Sequence, residues 1–131
     1  SKDSSKLSTT TEKNNFSIAE EVYPDEPEKL EKYKKQRDER GFDDTETWHL
    51  DKTLALFLIP RLERFIQVNN GYPGGETEKT FNEKLNFILK SFKEYYNGEN
   101  DEVSLELEKE RLINANKAVA ILGEIWFDLW W

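Results

Sequence analysis

Between Asp43 and Asp51, five side chains able to hold a cation or move a proton fall within nine positions: Asp43, Asp44, Glu46, His49 and Asp51. A hard divalent ion needs several carboxylate oxygens converging on one point. A general base needs a carboxyl whose pKa is raised in a cleft. Asp43, Asp44, Glu46 and Asp51 are therefore the candidate metal ligands. The spacing does not fit a calcium loop, which wants a glycine at its sixth position and a glutamate at its twelfth. Acids gathered at a helix start have a simpler role, because they face the positive end of the helix dipole. Asp44 or Thr45 is placed to cap the helix that follows, and capping is the stronger reading. His49 is the single histidine. No G-x-S-x-G elbow accompanies it, so a structural role is expected for it.

Three further groups could carry chemistry or recognition. Arg61 and Arg64 lie three apart on the exit of a helical segment. They share a face and could grip a phosphate or carboxylate; ion pairing with Glu63 or with the Asp43–Asp51 acids is the competing and favoured role. Glu102, Glu106 and Glu110 repeat every four residues, with Glu108 offset. A metal-dependent nucleotide or phosphoester hydrolase would need such carboxylates matched from a second helix, and no matching motif is clear, so a solvated face is expected. The chain closes on IWFDLWW. Its aromatics cannot all share one helix face, and exposed Trp and Phe are common anchors for a protein partner. Phe127, Trp130 and Trp131 are the candidate partner-binding residues, with Arg61 and Arg64 beside them. Against this, Trp126 and Trp130, four apart, could close the core. GYPGG lacks the Lys and Ser/Thr of a phosphate loop, there are no cysteines, and no cofactor is implied.

The elements that must position these residues read as helices. Residues 1–15 are nearly all polar, with Leu7 the one aliphatic, and cannot bury enough to offset the entropy of ordering. We expect a flexible polar arm over 1–23, docked by Phe16, Ile18, Val22 and Tyr23, and a helical domain over 24–131. Prolines at 24 and 27 precede a charged helix, Glu28–Arg40, whose apolar marks are Leu30 and Tyr33 and which Gly41 stops. Trp48–Val68 follows with Leu50, Leu54, Phe57, Leu58, Leu62, Phe65 and Ile66 at three- and four-residue spacing. It is expected to be the most buried helix, kinked or split by Pro60. After the Asn69–Gly75 loop, Thr77 starts a helix to about Tyr96 with Phe81, Leu85, Ile88, Leu89, Phe92 and Tyr96 on one face. A last helix is expected over Val103–Trp131, its face carrying Leu105, Leu112, Val119, Leu122, Ile125, Trp126 and Leu129, with Ala115 and Ala118 allowing close helix approach. The fold class is all-α: a compact bundle of about four helices with a disordered or extended N-terminal arm.

Length and charge narrow the function. A chain of 131 residues supports one core. The net charge of -8 is uneven: residues 1–41 carry 9 Lys/Arg against 10 Asp/Glu, and the remainder 10 against 17. An acidic body repels nucleic acid and anionic membranes, and no run approaches a membrane span. A protein partner fits better; the oligomeric state stays open.

The segment GFDDTETWHLDKTLALFLIPRLERF, residues 41–65, resembles a family of small all-α proteins of tailed bacteriophages and mobile elements, in the pattern GFDDxETWxLDxTxAxFxxPRLxRF. The GYP loop, the F-x-x-x-L-x-x-I-L-x-x-F helix and the closing IWFDLWW are also similar, so the likeness covers about residues 41–131. It implies a genomic setting and no catalytic residues. It points to a non-enzymatic interaction protein in the host cytoplasm, binding a host factor or defence component. A virion role beside capsid or portal, or a metal-dependent hydrolase, are the alternatives.

Overall fold

The computed structural model describes residues 15–69, 71, 72, 74, 76–98 and 105–130, and every regular element among them is helical. The all-α fold class is thus observed. Of the flexible arm expected over residues 1–23, residues 1–14 lie outside the described residues, as do Glu102, Val103, Trp131 and part of the Asn69–Gly75 loop. Residues 15–23 depart from the expectation, since they carry a helical turn at Ala19–Val22 and hydrogen bonds from Ser17 and Ile18 to Asp43 and Thr45. The elements are α1 (Ala19–Val22), α2 (Pro27–Arg40), a 3-10 turn η1 (Asp44–Thr47), α3 (Leu50–Val68), α4 (Glu78–Gly98), α5 (Leu105–Glu124) and a 3-10 turn η2 (Trp126–Asp128). The chain divides into two compact units, one up to Phe57 and one from Leu58.

In the first unit, Pro27 opens α2, where its missing N–H has no partner to lose. Arg37 and Arg40 occupy the last turn, facing the negative end of the dipole. Gly41 ends the helix at φ 88°, a left-handed conformation open to glycine at little cost, and its N–H donates to the Arg37 carbonyl at 2.8 Å. α2 is amphipathic only through Tyr33, the one residue it buries. Tyr33 stacks on Tyr23 at 6.0 Å between centroids, and Trp48 meets both rings edge-on at 6.2 and 6.4 Å. Lys29 Nζ sits 4.2 Å above the Tyr23 ring. Such pairs add to the apolar area that each ring buries. Burial, followed by the neighbouring Tyr23, pushes the Tyr33 hydroxyl pKa up.

The cap after Gly41 differs from the expectation. Neither Asp44 nor Thr45 caps; Asp43 does, from an extended backbone, and it caps a 3-10 turn. Thr45 N–H donates to Asp43 Oδ1 at 2.8 Å, and Asp43 N–H donates to Glu46 Oε2 at 2.7 Å, a reciprocal capping box. The following helix consequently starts at Leu50 and not at Trp48, with Thr53 Oγ1 donating to the Glu46 carbonyl at 2.7 Å. Pro60 does not split α3 into two helices. Its side is exposed, where water can meet the Leu56 carbonyl that proline cannot engage.

The second unit holds the apolar core. Leu62 of α3, Phe81, Leu85 and Ile88 of α4, Ala118 of α5 and Ile125 beyond it are all buried. Leu58, Phe65, Ile66, Phe92, Ile121, Leu122 and Leu129 pack around them. Fully burying one such side chain contributes about 1.5–3 kcal/mol. α4 begins as expected: Thr80 N–H donates to Thr77 Oγ1 at 3.0 Å, and Thr77 N–H donates to Thr80 Oγ1 at 3.0 Å. Of its expected apolar face, Phe81, Leu85, Ile88, Leu89 and Phe92 pack in this core.

Two expectations need correction. The most buried helix is α4, not α3: Leu50, Leu54 and Phe57 are exposed, and α3 buries only Ala55 and Leu62. The α3 stripe repeats at three and four residues but is less one-sided than that of α4, and a stripe contributes only where a partner covers it. The last helix is also shorter than expected, and part of its expected face is exposed. It ends at Glu124, next to Gly123, a residue that weakens helices. Of the residues expected to pack, Ala118, Leu122, Ile125 and Leu129 do, joined by Ile121, whereas Leu105, Leu112, Val119 and Trp126 point to solvent. Residues seven apart drift by only ~20° on a straight helix, so both sets are coherent stripes. The residue pattern offers two and the fold buries one.

Candidate functional site

The acidic segment folds into a polar corner at the junction of residue 17, the end of α2 and η1. Asp43 is fully buried. Its Oδ2 accepts from Ser17 Oγ, and from Arg37 Nη1 at 2.5 Å. Its Oδ1 accepts from Thr45 N–H at 2.8 Å and from Thr45 Oγ1 at 2.5 Å. Ile18 N–H donates to Thr45 Oγ1 at 3.1 Å, and Ala19 N–H donates to Ser17 Oγ at 3.2 Å, so the chain entering α1 is bound to the same corner. Burial alone would raise the Asp43 pKa; the hydrogen bonds from Ser17, Thr45 and Arg37 together outweigh it and hold the carboxyl below its ordinary range.

The neighbouring acids are engaged as well. Asp44 accepts from Arg40 Nη2 at 2.5 Å and from Gln36 Nε2 at 3.0 Å, and the Arg40 bond is the main cause of its lowered pKa. Glu46 is buried with its carboxylate on the Asp43 amide. Asp51 and His49 are exposed at the start of α3. The fold thus brings Asp43, Asp44 and Glu46 together, each facing a donor of its own. Among the described residues no three His, Asp or Glu side chains are placed to share a metal ion. The corner's chemistry is that of a fastener: it fixes the entry to α1 against the exit of α2. Sequence pattern does not single out Ser17 or Arg37. Ser17 lies 26 residues from Asp43, beyond any local rule. Arg37, in the last turn before a helix-ending glycine, is the available signal.

The candidate arginines are both exposed on α3. Arg64 Nη1 donates to Gln67 Oε1 at 3.2 Å. Glu63, offered as a partner, pairs with Lys93 of α4 at 2.9 Å.

The C-terminal aromatics separate by side. Ile125 is buried and Leu129, four residues on, packs against the core. These two, and not Trp126 and Trp130, close the bundle end. Phe127 is 88% exposed, Trp130 75% and Trp126 60%. The η2 turn, held by Asp128 N–H donating to the Ile125 carbonyl at 2.9 Å, carries Trp126 and Phe127 outward. Trp126 joins the expected Phe127 and Trp130; Trp131 lies outside the described residues. No described helix is long and apolar enough to cross a membrane.

The molecule is thus a small all-α protein whose polar corner is internally satisfied and whose aromatic end is not. No protein family, curated protein or solved structure matches the chain.

Proposed function

We propose that this chain is a non-enzymatic interaction protein of a tailed phage or mobile element, and that its aromatic C-terminal end binds a protein partner, a host factor or defence component. One observation carries the reading: three large aromatic side chains within five residues, Trp126, Phe127 and Trp130, stand in solvent beside a closed core. Isolated apolar side chains are ordinary on a surface, but aromatics concentrated at one place are the usual anchors of binding. A net charge of -8 favours a protein with a basic rim over a nucleic acid. The polar corner supports the same reading, because its carboxylates all face donors within the fold.

The test compares the full chain with Phe127→Ala/Trp130→Ala in pull-downs from host lysate, with Val22→Ala as an exposed control from the other unit. Loss of two anchors should weaken capture by about 30-fold or more while the helical content stays unchanged. Equal recovery by the aromatic variant and the wild type contradicts the proposal.

A further inference from the structure

α5 carries two apolar faces. One is buried in the core of the second unit; the other is exposed and has an internal symmetry. Asn116 sits at its centre. Leu112 and Ile113 lie four and three residues before it, and Val119 and Ala120 lie three and four residues after it. Those offsets place all five on one side of a helix. Leu112 is 47% exposed, Ile113 55% and Val119 56%, and Asn116 and Ala120 are exposed as well. Run in reverse, the pattern maps Leu112 onto Ala120, Ile113 onto Val119 and Asn116 onto itself.

We propose that this face binds a second copy of the chain, forming a two-fold dimer in which the two α5 helices cross antiparallel about Asn116. A two-fold interface requires a patch complementary to itself under reversal, and this patch has that property. Leu112 of each copy meets Ala120 of the other, large against small, and Ile113 meets Val119. The Asn116 amides face each other across the axis, each with a donor and an acceptor. A lone polar Asn in an apolar helix seam fixes register in this way. The charges agree. Lys109, seven residues before Asn116, falls beside Glu124, eight residues after it, on the opposing helix, once at each end. Glu124 lies 3.8 Å from Lys84 within its own chain, but its side chain is 62% exposed and open to a second cation. Antiparallel packing also sets unlike ends of the helix dipoles together. The five seam positions do not include Phe127 or Trp130, so separate variants test the two readings.

In sedimentation equilibrium, the full chain should approach twice its 15.5 kDa mass as its concentration rises to roughly 100 μM. Ile113→Glu/Val119→Glu, at exposed positions, should weaken association at least ~100-fold with helicity retained. Lys109→Glu should weaken it, and adding Glu124→Lys should restore it. Because the chain has no cysteine, Asn116→Cys and Lys109→Cys are clean probes of direction. On mild oxidation Asn116→Cys should link copies. Lys109→Cys should not, since its equivalents would lie about 21 Å apart along the axis. A chain that stays monomeric throughout overturns the proposal. So does an Ile113→Glu/Val119→Glu variant that remains dimeric, or a dimer abolished only by Phe127→Ala/Trp130→Ala, or equal linking at both cysteine positions, which would mean parallel packing.

Discussion

The two units of this chain are held by different kinds of interaction. Up to Phe57, the elements are joined by a buried carboxylate with four donors and by a cluster of three rings. From Leu58, they are joined by a core of aliphatic and aromatic side chains with ion pairs only at its edge, such as Lys93–Glu63 and Lys84–Glu76. The first arrangement is directional and depends on each partner being present, since a buried charge left alone is costly. The second is distributed, and exposed ion pairs of this kind add little. A short, highly charged stretch with few aliphatics can therefore be ordered by one well-placed acid, whereas the longer helices need only covered stripes.

The largest expected effects form a matched pair. Asp43→Ala strands Arg37 and should cost about 3 kcal/mol; Leu85→Ala hollows the second core and should cost about 3 kcal/mol as well. Urea denaturation followed by circular dichroism checks both, and a near-neutral Asp43→Ala would remove the contrast. Acid should separate the units next. A carboxyl whose folded pKa is lowered adds stability that is fully present above its unfolded value, near 3.9, and is lost as pH falls through the lower folded value. The first unit, whose fastening carboxylate Asp43 is buried with a lowered pKa, should therefore open below about pH 4 before the second. Glu76, the lowered acid of the second unit, forms a single ion pair with Lys84 at the edge of the core, and its protonation leaves the apolar packing in place. Amide exchange at decreasing pH checks the order. Ser17→Ala removes one of the donors to Asp43 and should cost about 1 kcal/mol, confined to the first unit.

Much of this is legible from residue pattern. Gly41 as a helix stop, Thr77 at the start of α4 and the Phe81–Leu85–Ile88 face follow from local rules and are observed. The cap falls one or two residues from its expected place because Asp43, Asp44 and Thr45 are all competent, and the choice depends on Arg37 and Ser17 arriving from elsewhere. On α5, Ala118, Leu122 and Ile125 pack as expected, but Leu105, Leu112 and Val119, equally apolar, are left exposed; which stripe is covered is a property of the neighbours. At the C-terminus, the pattern identifies the aromatics and not which of them face outward. That depends on the helix ending at Glu124 and continuing as the tighter η2 turn.

Hydrogen exchange by mass spectrometry on Asp43→Ala, set beside the wild type at neutral pH, tests the central contrast most directly. Exchange should rise across residues 15–47 and stay unchanged along α4 and α5. A uniform rise over the whole chain would contradict the account, since it would mean that the polar corner and the apolar core stand or fall together.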